Sequence, residues 1–168
     1  MKSKIVLIIV APILFFAGFF SGQQNDIINK EEGKIIGLNH VGIRVSDFDI
    51  AADFYENTLG FPMIYRFDDE NGQLIFAYFQ INKSTFIELM PADEGHPEGI
   101  DHFGLETHNN EAVVSDFLDL GIECTKSNVS PFTHVNIAHA KDVNGVYFEI
   151  IEAIEGSDLR RVMDNWKK

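Results

Sequence analysis

Two histidines and two glutamates recur at matching positions in this 168-residue sequence. His40-Val-Gly-Ile-Arg-Val45 is repeated as His102-Phe-Gly-Leu-Glu-Thr107, and Thr85-Phe-Ile-Glu-Leu89 is repeated as Val146-Tyr-Phe-Glu-Ile150. Imidazole nitrogens and carboxylate oxygens together suit borderline divalent ions such as Ni, Zn, Co, Mn or Fe(II). The pattern therefore predicts a metal site formed by His40, Glu88, His102 and Glu149.

The four candidate ligands need strands that place them on one side of a sheet. Side chains alternate along a strand, so His40 shares a face with Arg44, while Val41 and Ile43 occupy the other face. Glu149 lies inside the apolar run Tyr147–Ile151, where a buried carboxylate is costly without a compensating cation. A divalent ion supplies that compensation.

Each repeat predicts the order strand, helix and then three strands. The helices end at Leu-Gly pairs, which is typical of glycine in the left-handed conformation at a helix C-terminus. The first repeat predicts strands at 37–45, 63–68, 74–81 and 85–90 and a helix at 49–59. The second predicts strands at 101–107, 123–127, 133–140 and 146–152 and a helix at 111–120, followed by a C-terminal helix at 157–166.

The N-terminal segment differs from the rest of the chain. Lys2 and Lys4 precede an uncharged apolar run, as in a secretory signal. We predict a signal peptide or N-terminal anchor at 1–22, a linker at 23–34, the folded domain at 35–155 and a C-terminal helix at 156–168. The two repeats span about 36–91 and 99–153. This organisation predicts an exported protein, periplasmic or extracellular, with membrane contact only if residues 4–20 stay uncleaved as an anchor.

The composition excludes one class of partner. The formal net charge is −13 and there is no cluster of basic residues, so the sequence argues against nucleic-acid binding. An anionic substrate would need a local positive group such as Arg44. The single cysteine, Cys124, excludes an internal disulfide. His96, His108, His134 and His139 lack a histidine at the equivalent repeat position and are interpreted as surface or pocket residues.

Three segments resemble the vicinal oxygen chelate superfamily, which includes glyoxalase I, methylmalonyl-CoA epimerase, extradiol dioxygenases and bleomycin resistance proteins. They are Asn39–Val45, the run Phe54-Tyr-x-x-x-Leu-Gly-Phe61, and Asp142-Val-Asn-Gly145 followed by Tyr147-Phe-Glu149. The resemblance covers about residues 36–153. It implies an α+β fold in which two βαβββ repeats form a cup of curved mixed sheet, with the metal on the concave face.

The resemblance also implies site roles and an activity. Glyoxalase I uses four ligands of this kind, and its set corresponds to all four candidates here. The implied activity is that of a lactoylglutathione lyase-like lyase or isomerase, in which a carboxylate shuttles a proton on a small substrate chelated through two vicinal oxygens. We assign Glu149 as the base and Glu88 as ligand and second base. Arg44 is predicted to bind a substrate carboxylate or phosphate, with a surface salt bridge as the alternative.

Two other functions stay open. An Fe(II)-dependent dioxygenase is expected if one glutamate is not a ligand. A non-catalytic module that binds a small molecule, similar to the bleomycin resistance proteins, fits the strong negative charge. Superfamily members of this size commonly pair, so the resemblance also implies a homodimer.

Overall fold

A computed structural model of the protein describes residues 33–167. The predicted signal peptide or anchor at 1–22 and most of the predicted linker lie outside the described residues. Among the described residues, no helix is long and apolar enough to cross a membrane. The elements are β1 (Ile35–Val45), α1 (Phe48–Asp53), β2 (Met63–Asp68), β3 (Leu74–Asn82), β4 (Thr85–Pro91), β5 (Gly99–Thr107), α2 (Asn110–Asp119), β6 (Asn128–Val129), β7 (Asn136–Lys141), β8 (Tyr147–Glu152) and α3 (Asp158–Asp164).

Local sequence explains both ends of the first helical segment. The Asp47 side chain accepts a hydrogen bond from the Ile50 N–H at 3.0 Å and so caps the start of α1. The helix continues as a π-helical turn over Phe54–Thr58. Gly60 then adopts a φ of 74°, a left-handed conformation that suits glycine and ends the segment.

The eight strands form one sheet in the order β2-β3-β4-β1-β5-β8-β7-β6. At its centre β1 is antiparallel to β5, and each of these strands is parallel to the last strand of its own repeat, β4 or β8. Reading outward from the centre, the two halves of the sheet therefore match strand for strand. The predicted fold class, two βαβββ repeats in a curled mixed sheet, is confirmed.

The predicted strand at 123–127 is wrong. Cys124 forms only an isolated bridge to Ala140, and the edge strand β6 is limited to Asn128–Val129. Glu123 and Lys126 are exposed, so no buried face holds this segment in a ladder. When neither face of a segment is buried, alternating polar and apolar side chains define the register of strand pairing only weakly.

Apolar clusters cover the sheet on both faces. On one face, Phe79 and Leu89 pack beneath α1, and Val113 and Phe117 of α2 pack against Ile150. On the face that carries the predicted ligands, α3 contributes a third cluster. Its buried members are Phe76, Tyr78, Phe86, Met90, Val135, Ile151, Leu159 and Met163. The C-terminal helix therefore lies against the inner face of the curled sheet.

Candidate metal centre

The structure brings all four predicted ligands together on neighbouring strands. Glu88 of β4, His40 of β1, His102 of β5 and Glu149 of β8 follow one another in strand order. The two histidine Nε2 atoms are 3.0 Å apart. The Glu88 Oε2 is 3.1 Å from the His102 Nε2, and the Glu149 Oε2 is 3.3 Å from the His40 Nε2. The two carboxylates thus flank a central histidine pair.

The glycine of each His-x-Gly motif makes room for the histidine of the other repeat. Gly42 pairs with His102 across the β1–β5 ladder, and Gly104 pairs with His40. A Cβ atom at Gly42 would lie 2.6 Å from the His102 Nδ1, and one at Gly104 would lie 2.5 Å from the His40 Nδ1. Contacts this short cannot be accommodated with the rings in place, so the glycines permit the histidine pair.

The Nδ1 atom of each histidine lies next to a hydrogen-bond acceptor from the preceding residue in the chain. The His40 Nδ1 lies 3.0 Å from the Asn39 Oδ1, and the His102 Nδ1 lies 2.8 Å from the Asp101 Oδ2. Both oxygens only accept hydrogen bonds, so both Nδ1 atoms donate. Each ring therefore turns its Nε2 atom toward the other at 3.0 Å, an arrangement that a cation between them, either a proton or a metal ion, stabilises.

Tyr78 and His139, which the repeated residue types do not identify as site residues, lie beside the two carboxylates. Tyr78 pairs with Glu88 across the β3–β4 ladder, and its pKa is raised by burial and by the nearby charges of Glu88 and Glu149. His139 pairs with Glu149 across the β7–β8 ladder, and its Nε2 is 3.5 Å from the Glu149 Oε1. Tyr78 and His139 therefore occupy equivalent positions in the two repeats. A comparison of equivalent positions in the two repeats could have identified this pair, whereas a search for identical residue types could not.

The electrostatics of the cluster favour a bound cation. Burial opposes ionisation of the His102 ring, but the hydrogen bond to Glu88 and the charges of Glu149 and Glu88 outweigh it and raise the pKa of His102 to about 9. Burial also opposes ionisation of Glu149, yet the hydrogen bonds and charges of the surrounding histidines hold its pKa far below the ordinary value. The acidic groups thus stabilise positive charge between the two histidines.

The geometry of the cluster fits a divalent ion. Metal–ligand distances of about 2.0–2.2 Å allow two ligands of one ion to be at most about 4.4 Å apart. His40, His102 and Glu149 meet this limit, since the distances between their nearest Nε2 and carboxylate oxygen atoms are 3.0–3.8 Å. Glu88 is outside this compact group, but its Oε2 is 3.7 Å from the His40 Nε2 and 3.1 Å from the His102 Nε2. Three residues thus form the core of a candidate site, with Glu88 beside it.

Arg44 takes part in the support of His102. Its Nε donates to the Asp101 Oδ1 at 2.9 Å, and its Nη1 donates to the Pro91 carbonyl at 3.2 Å. Asp101 in turn accepts from His102 through its other oxygen. Burial raises the pKa of Asp101, but the hydrogen bonds to His102 and Arg44 and their charges lower it below the ordinary value. The predicted substrate contact of Arg44 stays a prediction.

The cluster opens into a cavity of about 470 Å³ on the inner face of the sheet. Glu88, His102, Glu149 and His139 line one part of the cavity, while residues of the loop before β7 and Leu159 of α3 line another. The volume lies in the range typical of small-molecule sites.

The family model for the Glyoxalase/Bleomycin resistance protein/Dioxygenase superfamily matches residues 37–150. The chain belongs to this superfamily. The superfamily match includes all four predicted ligands and ends before α3. The resemblance inferred from the sequence motifs is therefore confirmed.

Relatives and solved structures of this superfamily agree with the fold. The chain is 26% identical over 156 residues to human mitochondrial methylmalonyl-CoA epimerase, covering 85% of this chain and 89% of that protein. Its structure is similar to that of methylmalonyl-CoA epimerase from Mycobacterium tuberculosis, with a TM-score of 0.61, 23% identity and coverage of 71% and 89% of the two chains. A Streptomyces coelicolor methylmalonyl-CoA epimerase in complex with 2-nitronate-propionyl-CoA gives a TM-score of 0.62, 20% identity and coverage of 74% and 99%.

Proposed function

We propose that the chain is a divalent-metal-dependent isomerase that moves a proton at a carbon next to a carbonyl group. Its substrate is a small molecule with two vicinal oxygens. The observation that carries this proposal is the placement of Glu88 and Glu149 on strands either side of the histidine pair. Two carboxylates on opposite flanks of one site suit removal of a proton and its return from different directions.

The proposed ligands of the ion are His40, His102 and Glu149, with Glu88 as the fourth group. When bound, a Ni, Zn, Co or Mn ion would supply Lewis-acid stabilisation of the negative charge that develops on the substrate oxygens. Asn39 and Asp101 fix the orientation of the two imidazole rings through their Nδ1 atoms.

We assign proton transfer to the two glutamates. One carboxylate accepts the proton from the substrate carbon, and the electron pair of the broken C–H bond moves toward the carbonyl oxygen. The other glutamate enters the step as the carboxylic acid and donates its proton to carbon, while the electron pair returns from the oxygen to form the new C–H bond. Tyr78 and His139 orient Glu88 and Glu149 for these steps.

Two reactions use this chemistry. Epimerisation of a branched acyl thioester is supported by relatives named methylmalonyl-CoA epimerase. Glyoxalase I-like conversion of a 2-oxoaldehyde–thiol adduct is supported by the set of two histidines and two glutamates. We further propose that residues 1–22 direct export of the domain and that the domain pairs with a second copy.

An Fe(II)-dependent dioxygenase is the second candidate function. The compact group of His40, His102 and Glu149 has the composition of the two-histidine, one-carboxylate triad found in non-haem iron oxygenases. In that reaction Glu88 would not be a ligand. The identity of the bound metal distinguishes the two candidates, because an isomerase needs no redox-active ion.

Metal content gives the first test of the proposed function. The full chain, purified without chelators, is expected to carry about one Ni, Zn, Co or Mn ion per chain by elemental analysis. Glu149→Gln removes a charged ligand and should weaken metal binding by at least about 10–100-fold, the loss that removal of an outer-shell partner already causes. Glu106→Gln is the matched control, since Glu106 is a buried carboxylate on the same strand as His102 but outside the cluster.

Each outcome of the metal analysis has a clear consequence. Iron in place of the other ions would favour the dioxygenase. If neither the wild type nor the reconstituted protein holds metal, the isomerase proposal fails and a non-catalytic binding module is the better account. Equal metal loss in Glu149→Gln and Glu106→Gln would argue that Glu149 is not a ligand.

Metal binding should release protons near neutral pH. Because the pKa of His102 is raised to about 9, this ring is protonated at pH 7 in the metal-free protein, and an ion must displace the proton. We expect about one proton released per ion at pH 7, decreasing as the pH rises through about 9. Titration calorimetry in buffers of different ionisation enthalpy measures this number. A binding enthalpy that is independent of the buffer at pH 7 would contradict the prediction.

A further inference from the structure

The cavity above the metal centre has an apolar half that the proposed chemistry does not use. Its polar half holds the proposed ligands and the Arg44–Asp101 pair. The apolar half is lined by Phe76, Met90, Phe132, Val135, Ile151 and Leu159. On β4 and β8, Met90 and Ile151 follow two residues after the two glutamates, so the apolar surface begins directly beside the reacting groups.

The apolar half is fixed in place by the C-terminal helix. Leu159 is 3% exposed and packs with Phe76 and Met90. The Asp158 N–H donates to the Thr133 carbonyl at 3.0 Å, which joins α3 to the loop before β7. The Tyr65 hydroxyl donates to the Phe132 carbonyl at 2.7 Å, which joins this loop to the sheet. A preformed apolar wall binds an apolar group without the cost of ordering the wall.

The charges around the cavity disfavour an anionic substituent. Arg44 is the guanidinium that lines the cavity, and its Nε is already paired with Asp101 at 2.9 Å. Glu88, Glu149 and Asp101 add negative charge to the polar half. A carboxylate on the substituent would lose its hydration against the apolar wall without gaining an unpaired cation.

We infer that the substrate carries an uncharged apolar substituent beside its two vicinal oxygens, with a branched alkyl or phenyl group as the fitting size. This inference rests on the proposed function and names the substrate class of the same site. The oxygens face the proposed ligands, and the substituent packs on the apolar half beneath α3. The inference excludes dicarboxylic substrates in which a carboxylate occupies the substituent position.

Hydroxamates test the inference, because they present two vicinal oxygens to a metal ion. Titration calorimetry on the metal-loaded full chain compares acetohydroxamate, benzohydroxamate and succinic monohydroxamate. Burial of a phenyl ring should make benzohydroxamate bind at least about tenfold more tightly than acetohydroxamate. The carboxylate of succinic monohydroxamate should make it bind more weakly than acetohydroxamate.

Two variants tie the preference to the apolar half. Phe132→Ser changes a partly buried loop side chain, and Leu159→Gln changes the wall contributed by α3. Each should reduce the ratio of benzohydroxamate to acetohydroxamate affinity at least about fivefold. Arg160→Gln, at the exposed neighbouring position on α3, is the control that should keep the wild-type preference.

The outcomes separate the inference from the proposed function. If metal-loaded protein binds all three probes but prefers succinic monohydroxamate, or prefers none, the substrate class is overturned while the proposed function stands. A preference for benzohydroxamate that persists in both Phe132→Ser and Leu159→Gln also overturns the inference. Failure of the wild type to hold metal, or to bind any hydroxamate once metal is loaded, overturns both proposals.

Discussion

Glu88→Gln is expected to lower turnover by about 10²–10⁴-fold, the contribution typical of a positioned acid or base, while the metal stays bound. His40, His102 and Glu149 form a complete two-histidine, one-carboxylate group without Glu88 and can still hold the ion. The amide of glutamine accepts no proton at neutral pH, and proton transfer on the β4 side of the site is lost. Glu149→Gln should lose both turnover and metal.

Turnover and metal content are measured together to distinguish these roles. The assay follows deuterium exchange from D2O into 2-oxoaldehyde–thiol adducts and branched acyl thioesters by NMR, with elemental analysis of the same samples. Glu106→Gln is again the control, because it removes a buried carboxylate from β5 without touching the histidine pair. Full activity in Glu88→Gln with metal bound would remove Glu88 from the mechanism.

The fold was largely predictable because the sequence is internally repeated. Two copies of one pattern must build two similar halves, and apolar alternation places most strands within a few residues of their observed bounds. β2, for example, spans Met63–Asp68 as predicted. The prediction failed at 123–127, where a single bridge at Cys124 replaces a ladder. Pairing at a sheet edge depends on tertiary contacts that local pattern does not encode.

The candidate ligands were predictable for the same reason, but their supporting residues were not. Each repeat supplies one histidine and one glutamate as candidate ligands, but the residues beside these ligands differ in type between the two repeats. Tyr78 and His139 occupy equivalent positions, as do Asn39 and Asp101. A search for recurring residue types misses such pairs, because a hydrogen-bond partner is selected by position and polarity rather than by identity.

Gly104→Ala is expected to weaken metal binding by at least about 100-fold, the upper range for loss of an outer-shell interaction. A Cβ atom at this position would lie 2.5 Å from the His40 Nδ1, which is also the atom that contacts Asn39. The buried His40 ring must therefore move away from His102 or lose its Nδ1 partner. Either change misplaces the Nε2 atom. Gly42→Ala should act equally on His102, where the distance to Nδ1 would be 2.6 Å.

Gly37→Ala separates this steric effect from the general cost of changing a strand glycine. Gly37 lies on the same strand as Gly42, and a Cβ atom there would have no neighbour within 4 Å. Metal titration and thermal unfolding of the metal-free proteins are compared for all three variants. We expect Gly37→Ala to retain wild-type affinity, and the metal-free variants to unfold cooperatively near the wild-type temperature. Wild-type affinity in both Gly42→Ala and Gly104→Ala would mean that the contact between the two repeats does not position the histidine pair, and that the metal is held elsewhere.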